Sequence, residues 1–111
     1  MLSFQRLDVY QRAIEFLTLT TEVVEQMPRG HHQRADQLIR AAESTVRNIA
    51  EGAGRWSDAD SAKHDKIARG EAMESAASLD VLQLRQLVQP STYQRGIQLL
   101  ESIVAMLTKM L

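Results

Sequence analysis

Cysteine is absent from this chain. Disulfides and thiolate metal sites are therefore excluded, a composition that fits a reducing compartment. Proline occurs twice and glycine five times, which leaves long uninterrupted segments and points to helices. Neither sign of charge dominates: 13 basic and 14 acidic residues give a net charge of −1. Proteins that bind nucleic acid without specificity take most of their affinity from phosphate neutralisation. The whole-chain signature of that class is missing, and only a local patch is left open. No apolar run approaches the ~20 residues that a bilayer-spanning helix needs, and the apolar C-terminal stretch is interrupted by Glu101 and Lys109. The first eight residues have no basic region followed by an apolar core, so no signal peptide is expected. These absences lead to the expectation of a soluble, cytoplasmic protein with no cofactor.

What is present is helical periodicity. A chain of 111 residues is one domain, and 44% hydrophobic with 24% charged residues suits a globular fold. The clearest segment is Arg40 to Arg55, RAAESTVRNIAEGAGR. Ile39, Ala42, Val46, Ile49 and Ala53 recur three and four apart, while Arg40, Glu43, Ser44, Arg47 and Glu51 take the other face. Gly52 and Gly54 allow the left-handed conformations that close helices. Ser57, Asp58 and Asp60 each suit the N-cap of the next helix. Pro28-Arg29-Gly30 and Gln89-Pro90-Ser91 make two further breaks. The predicted helices cover about 7–27, 32–53, 60–87 and 92–111. Short connections make sequential helices antiparallel, so the predicted fold is all-α, an up-down-up-down four-helix bundle in one domain, 1–111.

Several helices carry two apolar seams where a monomeric bundle needs one stripe. The third has Ala68, Ala72, Ala76 and Leu79 beside Met73, Ala77, Val81, Leu84 and Val88. The fourth has Tyr93, Ile97, Leu100, Val104, Leu107 and Leu111 beside Leu99, Ile103, Met106 and Met110. Broad stripes serve a core in which each helix touches two neighbours; doubled stripes also mark interaction surfaces. The scarcity of charge in the fourth helix points to self-association through Leu99, Ile103, Met106 and Met110, together with helix one or three.

The residues that carry chemistry form no convergent set. A di-iron carboxylate bundle needs glutamate three residues before histidine, twice; Ser61, Pro28 and Arg29 occupy those places before His64, His31 and His32. Asp60 and His64 are one turn apart, but a capping aspartate and a surface histidine explain them. No serine sits in a glycine-flanked elbow, and Ser44 lies mid-helix, where a hydroxyl bonds its own backbone. Gly52-Ala53-Gly54-Arg55 lacks the lysine and spacing of a P-loop, and a helix C-terminus has the wrong dipole sign for an anion. No catalytic and no metal residue is assigned, and the protein is expected not to be an enzyme. Glu43, Arg47 and Glu51 are four apart and suit a surface ladder worth tenths of a kcal/mol. Asn48, at the edge between the faces, suits a register-setting hydrogen bond near the core. The candidate nucleic-acid surface is Arg40, Arg47, Arg55 and Lys66, with Trp56 placed to stack on a base, although acidic residues are interleaved with these cations.

Taken together, Arg40-Ala41-Ala42, Ser44, Asn48-Ile49-Ala50-Glu51-Gly52, Gly54 and Arg55 resemble the four-helix-bundle proteins of the 23S ribosomal RNA intervening-sequence family. The likeness extends to Phe4, Leu7, Val9, Tyr10 and Ala13 upstream, and to Ile67-Ala68-Arg69-Gly70 with Glu74 downstream. The chain departs from the pattern at Tyr10, where tryptophan is commoner, and at Glu71, where serine is. The resemblance implies an antiparallel bundle assembling into a homopentamer, with Ser44, Asn48, Glu51, Gly52 and Gly54 building the bundle and its interface. A related branch, the accessory variability protein of diversity-generating retroelements, binds nucleic acid and a reverse transcriptase. The expected partner is therefore the chain itself, with nucleic acid as the alternative.

Overall fold

The breaks in the chain become the corners of the molecule. The computed structural model describes all 111 residues, Met1–Leu111. A 3-10 turn over Ser3–Arg6 leads into four helices: α1 (Asp8–Glu25), α2 (His32–Ala53), α3 (Asp58–Leu84) and α4 (Pro90–Met110), with no strand. The particle measures 44 × 25 × 22 Å.

Each corner has its own local chemistry. Between α1 and α2 the chain turns at Gly30, whose φ of 89° is left-handed and suits a residue without Cβ. Ser57 caps α3, its hydroxyl accepting from the Asp60 amide at 3.1 Å. Asp58 and Asp60 follow in the first turn, where negative charge is favourable. Pro90 begins α4 at the first helical position, where its missing N–H costs nothing. Two expectations are corrected. Gly54 does not take the left-handed conformation: its φ is −90°, and its amide bonds back to Ala50 and Glu51. The left-handed stop is instead at the end of α3, on Gln86 with φ 59°. There the Leu87 amide reaches back to the Leu82 carbonyl at 2.8 Å. This ends the helix at Leu84, before the Gln89-Pro90-Ser91 break.

The four helices pack around one core. Helix α1 lies against α2 and α4, and α3 against α2 and α4, while the diagonal pairs bring no Cα atoms within 8 Å of each other. The core holds Phe16 of α1, Leu38 and Ile49 of α2, Leu79 and Leu82 of α3, and Ile103 and Leu107 of α4, all fully buried. Each contributes roughly 1.5–3 kcal/mol relative to exposure. Gly96 lets α4 approach closely: a Cβ there would stand 2.7 Å from Leu79 Cδ1. Across the helices, Arg95 Nη2 of α4 pairs with Glu15 Oε2 of α1 at 2.7 Å. Tyr93 donates to Asp80 at 2.6 Å and Arg69 donates to Thr108 at 2.8 Å, tying α3 to α4.

This packing corrects the interface expected on α4. Leu99 and Ile103 are buried within the single chain, because α4 touches both α1 and α3 and needs a wide stripe. Met106 is half-buried against the core, and only Met110 is exposed. The apolar seam left in solvent lies on α3. We predict that Ile103→Asp abolishes cooperative thermal unfolding followed by circular dichroism, through an unpaired buried charge costing more than about 4 kcal/mol. Met110→Asp should change stability by less than about 0.5 kcal/mol.

Candidate functional site

The central sequence motif and the start of α3 meet along one line. Asn48 is the pivot. Its Nδ2 donates to the Ser44 carbonyl at 2.9 Å and to Ser44 Oγ at 3.2 Å. Because that carbonyl only accepts, the amide orientation is fixed and Oδ1 faces α3. His64 Nδ1 meets Oδ1 at 3.0 Å, so the proton belongs on Nδ1. Glu51 Oε2 lies 3.4 Å from the same nitrogen and also accepts from Arg55 at 3.3 Å. One turn earlier on α3, Ser61 Oγ donates to the Gly52 carbonyl at 2.8 Å. Ser44, Asn48, Glu51 and Gly52 of α2 are thus joined to Ser61 and His64 of α3 in a continuous polar seam.

Gly52 is the point of closest approach. A Cβ there would lie 2.8 Å from Asp65 Oδ1 and 3.2 Å from the Ser61 carbonyl. Gly52 is therefore required by the packing of α2 on α3, not by a left-handed turn. Gly54 has no such neighbour: its nearest groups, carbonyls of its own helix, would be 3.7 Å from a Cβ.

Asp65 is the residue that sequence reasoning missed. It is 4% exposed, and its Oδ1 is sealed from solvent with no hydrogen-bond partner. Burial raises its pKa above the usual 3.8, and His64 beside it opposes that shift only in part. The signal was available: the seam Ala68, Ala72, Leu79 extended back by three residues places Asp65 on the core side. His64 was paired in sequence with Asp60; its actual partners lie on α2, beyond the reach of local spacing.

The candidate cations do not converge. Arg40 and Arg47 are exposed on α2 and Arg55 in the loop just after it; Arg47 lies 3.9 Å from Glu43, and Arg55 pairs with Glu51. The Arg47–Glu51 rung of the expected ladder does not form, since Glu51 turns to Arg55 and His64. Lys66 is exposed on α3 and makes no ion pair. No group of three His, Cys, Asp or Glu side chains is placed to share a metal ion, and no helix is long and apolar enough to cross a membrane.

Two outcomes follow for stability. Gly52→Ala should cost about 1–3 kcal/mol, read from chemical denaturation, because the backbone of α3 must yield. Asp65→Asn should stabilise the fold at neutral pH by about 1 kcal/mol, since it removes a buried charge without a partner. The sign follows from the raised pKa. Below the ordinary aspartate range both states are protonated and the penalty is absent. The parent loses stability as pH rises from the ordinary aspartate value through the raised folded pKa, so the gap between variant and parent opens across that window and then stays level. A pH series of thermal melts on both proteins reads this gap.

The fold and the sequence have counterparts. A crystal structure of a protein of unknown function from the S23 ribosomal protein family of Bacteroides thetaiotaomicron superposes with a TM-score of 0.84 at 21% identity, covering 91% of this chain and 95% of that one. No curated protein matches. The model of the 23S rRNA-intervening sequence protein family matches residues 5–109, a span that holds the polar seam and all of the four helices but the last residue of α4. The chain therefore belongs to the 23S rRNA-intervening sequence protein family.

Proposed function

We propose that this protein is a non-enzymatic, cytoplasmic scaffold: an up-down-up-down four-helix bundle that works as a homo-oligomer, with the pentamer as its assembly. The contacts that tie α3 to α4 support the helix order, because Asp80 meets Tyr93 while Arg69 meets Thr108, so the two chains of residues run in opposite senses. The observation that carries self-association is the second seam of α3. Ile67, Met73, Ala77, Val81 and Leu84 are all exposed along one side of the helix, Leu84 at 84%. Beside them runs an apolar groove between α3 and α4, lined by Met73, Ala76, Ile97, Val104 and Ala105. Gly70 sits within the exposed seam. A glycine in mid-helix costs about 0.5–1 kcal/mol relative to alanine, and no atom of this chain lies within 4 Å of where its Cβ would be. The single chain has no use for the missing side chain there; a second helix crossing closely does.

Native mass spectrometry tests the assembly. The parent is expected at the pentamer mass. Met73→Asp combined with Val81→Asp should yield the 12.5 kDa chain with its helical circular dichroism kept, since both sites are already exposed. An unchanged mass in that variant rejects the α3 interface.

A second reading is a structured-RNA-binding accessory module, as in the retroelement branch. It is favoured by exposed Arg40 and Arg47 on α2 and Arg55 just beyond its end, with the fully exposed Trp56 next to Arg55. Protein purified at low salt without nuclease should then carry heterogeneous nucleic-acid mass. Each Arg→Ala change should lower the slope of log affinity against log salt by about 1. Binding that ignores salt, or a clean protein mass, rejects this reading.

A further inference from the structure

At the end of the bundle where α2 passes into α3, the 3-10 turn folds over an open cavity of about 470 Å³. Phe4, Leu7, Ala53 and Met110 form its apolar walls, and Ser3, Ser61 and Asp65 supply its polar side chains. We propose that this cavity binds a primary ammonium group carried on a short apolar body, with Asp65 as its counter-ion.

The argument begins with the unpaired acid. Buried charges in folded proteins are paired or hydrogen-bonded, yet Asp65 has neither an ion-pair nor a hydrogen-bond partner in its own chain and its Oδ1 is sealed off. The adjacent cation-forming side chain, His64, directs its Nδ1 to Asn48 and Glu51. Within the chain only His64 lies beside the carboxyl, so a full counter-ion reaches Asp65 from outside, through the cavity that it borders.

The chemistry of that partner follows from the walls. With Oδ1 closed off, one carboxylate oxygen remains to meet a ligand. That suits a compact ammonium point charge better than the planar fork of a guanidinium, which needs both oxygens. A divalent metal is poorly served, because one carboxylate and two hydroxyls fall short of the six or more oxygens of a hard-cation site. Phe4 and Tyr10 form a T-shaped pair with ring centroids 5.0 Å apart, which holds the Phe4 ring in place on the cavity wall, and an aromatic wall favours a cation. Leu7, Ala53 and Met110 cover an alkyl body, and the volume falls in the range of small-molecule sites.

The test uses the full-length chain labelled with nitrogen-15. n-Butylammonium is titrated while the amide signals of Gly52 and Ala53 are followed, with 1-butanol as the neutral counterpart. Saturable shifts with the cation, and none with the alcohol, are expected. Asp65→Asn should weaken the cation by about tenfold or more while keeping the folded spectrum. Ala53→Trp, which fills the cavity and leaves the acid in place, should also abolish binding, and it decides the matter if the first variant misfolds. Acetyl-Leu-Lys-Leu-amide distinguishes the source: tighter binding than the free amine assigns the site to a lysine of a partner polypeptide, and weaker binding assigns it to a free alkylamine. Absence of saturation by both cations, equal shifts with 1-butanol, or full binding by both variants overturns the proposal. Because the signals report on each chain, the result is independent of the particle's mass.

Discussion

The close approach of α2 and α3 at Gly52 is the constraint on which the rest of the molecule depends. Two helix backbones meet there with no room for a methyl group. That proximity brings Ser61 within reach of the Gly52 carbonyl and His64 within reach of Asn48 and Glu51. It also seals Asp65 against the neighbouring helix. Each polar contact is modest alone, about 0.5–1.5 kcal/mol net, but together they leave one register for the pair. A slip by one residue would turn Asn48 from its partner and drive Asp65 into a side chain larger than glycine.

The polar seam and the apolar core divide the work. The core, from Phe16 to Leu107, supplies burial without direction. The seam supplies direction, because hydrogen bonds have fixed geometry and buried groups left unmatched are costly. The short repertoire of small residues on α3, Ala68, Ala72 and Ser75, keeps that helix near its neighbours without bulky interdigitation. Asp65 is the one buried ionisable side chain, and there this order is broken for no gain within the chain. Such a break is the usual mark of a residue kept for something other than the fold.

The sequence disclosed periodicity well and partnership poorly. The extent of α2 was legible because polar and apolar positions alternate at helical spacing and glycines close the run. On α4 the same spacing misled: Leu99 and Ile103 read as a spare seam, yet two neighbouring helices consume them. On α3 the doubled pattern had the opposite outcome, with Met73 and Val81 left in solvent. Periodicity reports how many faces of a helix are apolar, not how many neighbours it has. The stop at Gln86 was illegible because a left-handed turn was made without glycine. Asn48 was visible as an edge residue, but its partner His64 sits sixteen positions away, and spacing arguments reach only one turn.

The order of neighbours around the core also sets how the chain assembles itself in time. Three of its four helix contacts join elements adjacent in sequence, so each forms by closing a short corner. Only α1 against α4 spans the chain, pinned by Glu15 and Arg95 at eighty residues' separation. Low contact order of this kind belongs to fast folders. The α2–α3 hairpin, with the broadest contact, is the natural nucleus. The α1–α4 contact, which closes the longest loop, is expected to form last and open first, and hydrogen exchange in α1 should then run ahead of global unfolding.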